Sequence, residues 1–251
     1  MLSSLPPEIL DLVTDYLRDE LTTLKTCCLV SKSWIQRTRK HLFASIRFRP
    51  LGLSVGSWKN TFPDPMDSPA RHTRTLSIHQ PHLIKAAHMD TISTFHRVVC
   101  LNVIAGGYGG ENSLVPLHGF SPVLRSLRLA SAVLPDSKLF DLVCSFPLLE
   151  DLALISHDSA RSDEGRSIPS TSPGLTGSLE LDAMLNGIHS TTRRLLDLPN
   201  GLHFTTIVVK WFSEHDVRST TDLVSGCSET LQTLDITSYL LGVFPLISGP
   251  N

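Results

Sequence analysis

Apolar residues at Ile9, Leu12, Val13, Tyr16 and Leu17 recur at i, i+3, i+4, i+7 and i+8, which predicts one face of a helix opening near Pro6-Pro7. Proline is tolerated there because first-turn N–H groups lack intrahelical partners, and Glu8 suits the positive end of the helix dipole. Arg18-Asp19-Glu20 ends the stripe, and Leu21, Leu24 and Cys28 predict a second, short helix. Ser31 is spaced to cap a third, with Trp34, Ile35, Thr38 and Leu42 inward and Lys32, Arg37, Arg39 and Lys40 outward. Ser45-Ile46-Arg47-Phe48 then alternates like a strand. Three helices this short bury little surface alone. Several of Leu5, Ile9, Leu10, Leu17, Leu24, Val30 and Trp34 are therefore expected to be exposed until a partner covers them.

Further along, the pattern changes period. Pro50, Pro63, Pro65 and Pro69, with Gly52 and Gly56, predict a connector of little regular structure over residues 49–71. Beyond it a unit of the form apolar-x-x-Leu-x-Leu recurs, clearest at Leu124–Leu129 and Leu149–Leu154, then at Leu231–Ile236 and Val98–Val103. With weaker copies near 73, 176 and 204, the central anchors are Leu76, Leu101, Leu127, Leu152, Leu179, Ile207 and Leu234. Successive anchors lie 25, 26, 25, 27, 28 and 27 residues apart. A short strand cannot bury alternating leucines by itself, whereas stacked parallel copies share one core. Crossover helices are expected from Leu139, Leu142, Val143 and Phe146, and from Val217, Thr220, Thr221 and Val224 behind a Ser213/Asp216 capping box. A less regular third is expected from Met184, Leu185, Ile188 and Leu195. Ala105–Gly110 and the polar stretch Ser156–Gly174 read as loops.

Composition narrows the function classes. The 251-residue chain is 41% hydrophobic and 18% charged with a net charge of −2, so no bulk electrostatic argument points to nucleic acid or membrane. Eight Lys/Arg against five Asp/Glu in residues 1–50 leave the rest of the chain acidic. Five scattered cysteines form neither a disulfide framework nor a metal motif, and no signal peptide or membrane span is legible, which favours a reducing cytoplasmic or nuclear compartment. The Gly-rich run lacks the order of a phosphate-binding loop. His157-Asp158-Ser159 cannot form a hydrolase triad from adjacent side chains. His79 and His82 lack companion metal ligands. Trp211, Phe212 and Tyr239 read as core before they read as binding anchors. No catalytic residues, metal or cofactor are expected.

Leu5-Pro6-Pro7-Glu8-Ile9-Leu10, then Leu17, Leu24 and Cys28-Leu29-Val30-Ser31-Lys32-Ser33-Trp34, resemble the F-box. That resemblance covers residues 2–48 and implies docking on a Skp-family adaptor, which joins a cullin scaffold. The contact residues it implies are Leu5, Pro6, Ile9, Leu10, Leu17, Leu24, Cys28, Val30 and Trp34. The region from residue 72 resembles the leucine-rich repeats that often follow an F-box. It lacks their usual Asn or Cys five residues past the anchor, where Pro81, Gly106, Ala132, His157, Met184, Phe212 and Tyr239 stand, so an irregular array is expected.

The reading is an α+β multidomain chain: an F-box over 1–48, a linker over 49–71, and an irregular α/β leucine-rich-repeat solenoid over 72–251. Apolar Leu240, Leu241 and Phe244 leave no polar cap, so the C-terminus is expected to be truncated or packed against something else. By resemblance this is a non-catalytic substrate adaptor of a Skp–cullin–F-box ubiquitin ligase. An unknown protein target is expected on the concave side at Arg125, Ser126, Arg128, Glu150, Asp151, Gln232, Thr233 and Asp235. The alternatives are an interaction scaffold acting outside any ligase, or an enzyme of unrecognised class.

Overall fold

The computed structural model describes residues 6–105, 117, 118, 120–130, 136–155, 173–182 and 188–238, and the fold is α/β. Its strands are β1 (Ser45–Phe48), β2 (Thr75–His79), β3 (Cys100–Ile104), β4 (Ser126–Ala130), β5 (Asp151–Ile155), β6 (Ser178–Asp182), β7 (Thr206–Lys210) and β8 (Thr233–Thr237). They form one open, all-parallel sheet in chain order, with β1 and β8 at its edges. The helices are α1 (Pro7–Tyr16), α2 (Leu21–Cys27), α3 (Lys32–Leu42), α4 (Val55–Thr61), α5 (Met89–Ser93), α6 (Asp136–Cys144), α7 (His189–Leu196) and α8 (Val217–Gly226).

Every anchor of the repeat occupies the second place of a strand, and all seven stand in one register: Leu76 opposite Leu101, then Leu127, Leu152, Leu179, Ile207 and Leu234. Ile46 adds an eighth member opposite Leu76. The strand grouped with the N-terminal helices thus belongs to the sheet.

A recurring backbone device holds the turns together. The carbonyl two residues before an anchor accepts two N–H groups from the next turn. Ala44 accepts from Arg74 and Thr75, Arg74 from Val99 and Cys100, Val99 from Arg125 and Ser126, and Arg125 from Glu150 and Asp151. Between β5 and β6 the device changes. There Gly177 donates to the Glu150 carbonyl, but the Ser178 N–H donates to the Asp151 carboxylate at 2.7 Å. The ladder starts one residue later at that step.

From β2 to β7 each anchor and the residue two places on are buried, and they share one core with Leu139, Leu142, Val143 and Phe146 around α6. At roughly 1.5–3 kcal/mol for a fully buried apolar side chain, these residues hold the stack together. The α8 prediction misses the phase. Asp216, Ser219, Thr220, Leu223 and Cys227 are buried, whereas Val217 is exposed. Polar side chains at inward positions hid that face from an apolar count. In the third expected crossover Ile188 and Leu195 are buried.

Residues 49–71 hold more regular structure than their prolines and glycines imply. Val55–Thr61 contains no proline and forms α4, capped by Ser54 and Ser57 in a capping box. It buries Trp58 among Phe43, Phe48, Phe62 and Phe95, at ring-centroid distances of 5.9, 5.9, 4.8 and 5.5 Å. Pro63 follows the C-cap Phe62 of this helix, and Pro69 opens a 3-10 turn over Pro69–His72. Leu5, residues 106–110, 156–172, 184 and 185, and Tyr239 onward lie outside the described residues.

Candidate functional site

Asp11 of α1 pairs with Arg37 of α3 at 2.7 Å, and Asp15 with Lys40 and His41 at 3.3 and 2.8 Å. The bond to Lys40, helped by His41, holds the Asp15 carboxyl below its ordinary pKa. Thr38, buried, donates to the Trp34 carbonyl at 2.8 Å and sits 2.8 Å from the Cys28 sulfur. These contacts turn Leu10 and Thr14 of α1 inward. Ile9, Leu12 and Tyr16 then face solvent, 44%, 67% and 88% exposed. Three residues of the apolar stripe read from the sequence thus lie on the outer side of α1, as the small size of the three-helix unit implies for Ile9.

Of the adaptor contacts implied by resemblance, Pro6, Ile9 and Val30 are exposed, and Leu17, Cys28 and Trp34 are half-buried. Leu10 and Leu24 are core side chains and can influence a partner only through the helix positions they fix. Leu29, not singled out from the sequence, is exposed beside Val30.

The sheet carries a second surface on the side opposite the core. One row runs Arg47, Ser77, Asn102, Arg128, Ala153, Glu180, Val208 and Asp235 across the eight strands. Arg125, Arg128, Gln232, Thr233 and Asp235 are exposed, and Ser126, Glu150 and Asp151 are half-buried. Arg125 is paired with Glu150. Asp151 is committed to the framework, since its carboxylate accepts from both the backbone and the hydroxyl of Ser178. Selection from the best repeat copies missed Arg47, Asn102, Glu180 and Lys210, yet all but Lys210 stand one residue past an anchor. Lys210 and Arg128 both pair with Glu180, so each of these mid-sheet cations has a carboxylate partner.

Toward β1 that pairing is lost. A depression of about 300 Å³ is lined by Arg47, Ser77, His79, Asn102, Ile104 and Arg128, among others. A second of about 300 Å³ adjoins it across His79, with apolar walls from Phe48, Val55, Ile78 and Ile84 and with Arg49, Lys85 and His88. Neither has a carboxylate among its described lining residues. Burial, then the charges of Arg49 and Arg47, push the His79 pKa down. Gln80, which helps line the second depression, takes the left-handed backbone at φ 53° while its N–H donates to Ile104.

No family model and no curated protein matches this chain. Among the described residues no helix is long and apolar enough to cross a membrane, and no group of three or more His, Cys, Asp or Glu could hold a metal ion.

Proposed function

We propose that this chain is a non-catalytic substrate adaptor of a Skp–cullin–F-box ubiquitin ligase. Residues 1–48 act as the F-box that docks on the Skp-family adaptor, and that adaptor links the chain to the cullin scaffold. Residues 72–251 act as an irregular leucine-rich-repeat array that holds a protein target. The observation that carries the reading is the unburied apolar stripe Ile9, Leu12 and Tyr16, with Leu29 and Val30 also exposed in the same three-helix unit. A unit this small gains nothing from leaving five such side chains in water unless a partner covers them. Each one fully buried contributes roughly 1.5–3 kcal/mol before association costs. The mechanism is proximity, in which one chain holds ligase and target together and raises their effective concentration.

Co-purification with a Skp-family adaptor tests this. The intact chain is expected to bind stoichiometrically, and a Pro6→Ala/Ile9→Ala/Val30→Ala variant, altered only at exposed positions, is expected to stay folded and lose the adaptor. No binding by the intact chain rejects the ligase reading. Binding without subsequent cullin recruitment leaves an interaction scaffold outside the ligase.

A further inference from the structure

The solvent side of the sheet is electrically lopsided. Arg47 and Arg49 lie two residues apart, so their side chains leave the same side of the extended chain. Both act on His79 of the neighbouring strand, and Lys85 and His88 stand at the adjoining depression. No carboxylate among the described residues pairs with Arg47, Arg49 or Lys85. On the same face, Glu180 is neutralised by Arg128 and Lys210. Uncompensated like charges this close repel one another. An anionic occupant removes that cost and gains charge-assisted hydrogen bonds from two guanidinium groups.

The adjoining depression decides the size and character of the occupant. At about 300 Å³ it sits at the lower bound of small-molecule sites. Its apolar surface comes from Pro50 and Ile84 above the buried side chains of Phe48, Val55 and Ile78, so it suits one apolar side chain beside an acidic group. Ser77 and Asn102, hydrogen-bonded to each other at 3.4 Å, offer polar groups between Arg47 and Arg128.

Building on the target-holding role proposed above, we infer that the β1–β4 end of this face binds an acidic peptide segment. Its Asp or Glu carboxylates sit on Arg47 and Arg49, and one neighbouring apolar side chain enters the depression against Pro50 and Ile84. Target specificity thus resides at the N-terminal end of the sheet rather than at the paired Arg125 and Glu150.

The test is a fluorescence-polarisation titration of the full chain with a fluorescein-labelled twelve-residue peptide of Asp and Glu carrying one central Phe. Saturable binding is expected, weakening as salt is raised through the physiological range. R47Q/R49Q is expected to weaken it by about tenfold or more, as loss of charge-assisted bonds implies. R218Q, on α8, is expected to leave it unchanged, and replacing the peptide's Phe with Ala is expected to weaken it. Binding of the Asn/Gln counterpart as tightly, or indifference to R47Q/R49Q, overturns the inference. So does equal binding of an oligonucleotide of the same charge that is lost in R47Q/R49Q, which would make the patch a polyanion site. Absence of peptide binding by a chain that still co-purifies with the Skp-family adaptor overturns this inference and leaves the ligase reading standing. Loss of the adaptor with retained peptide binding does the reverse.

Discussion

Asp216 is a carboxylate buried to 2% exposure, and three donors converge on it. The Ser213 N–H and hydroxyl reach one oxygen at 3.1 and 2.6 Å, and the Ile188 N–H reaches the other at 3.1 Å. The local half of that cluster was legible in sequence as a capping box; the Ile188 bond, 28 residues away, was not. Asp216 therefore closes the capping box of the 3-10 turn Glu214–Asp216 that leads into α8, and also ties that turn to Ile188 at the start of α7. Removing the acceptor strands a buried N–H group, which costs about 1–3 kcal/mol, more when the lost partner was charged. Asp216→Ala is expected to lower the unfolding free energy by about 2–3 kcal/mol in urea titration followed by circular dichroism. An unchanged midpoint would mean that water replaces the carboxylate.

At the scale of elements, the step from β5 to β6 departs from the others, and a glycine explains how. A Cβ on Gly177 would lie 2.2 Å from Asp151 Oδ1, the oxygen that accepts from the Ser178 backbone and hydroxyl. The missing side chain is what lets a carboxylate stand in for a backbone carbonyl. Gly177→Ala must displace Asp151 and is expected to cost about 1–3 kcal/mol. Because the two residues share one contact, the cost should shrink when the alanine is placed in an Asp151→Ala background. Additive effects in that double-mutant cycle would show that the clash is not what Gly177 avoids. Elements also show where pattern reading holds. Strand existence and register followed from anchor spacing alone. Helix faces followed only in part: the expected apolar face of α6 is buried, whereas α8 buries polar residues that an apolar count passes over, because neighbours rather than hydropathy chose its inward side.

Across the whole molecule, the aromatic group around Trp58 joins parts that composition had separated. Phe43 follows α3, Phe48 lies on β1, Phe62 ends α4 and Phe95 follows α5. Trp58→Ala is expected to cost about 3–5 kcal/mol, as for other buried aromatics. Its indole N–H has no partner among the described residues, so Trp58→Phe strands no new polar group and is expected to change stability by less than about 1.5 kcal/mol. Thermal unfolding of both variants checks the contrast. Equal losses would show that the N–H has a partner, so that its removal carries a cost.

The sequence by itself determined the short N-terminal helices, the strand at Ser45–Phe48, and the spacing of seven strand anchors. Each of these rests on local periodicity, which a linear chain displays openly. Only the tertiary structure decided that Ile46 begins the sheet, that α4 plugs its first turns through Trp58, and that Leu10 and Leu24 rather than Ile9 and Leu12 turn inward. It alone gathered Arg47, Arg49, His79 and Lys85 at one end of a face. Residues 30 or more apart become neighbours there through strand register and crossover packing. That proximity depends on how whole turns stack, and no local pattern encodes it.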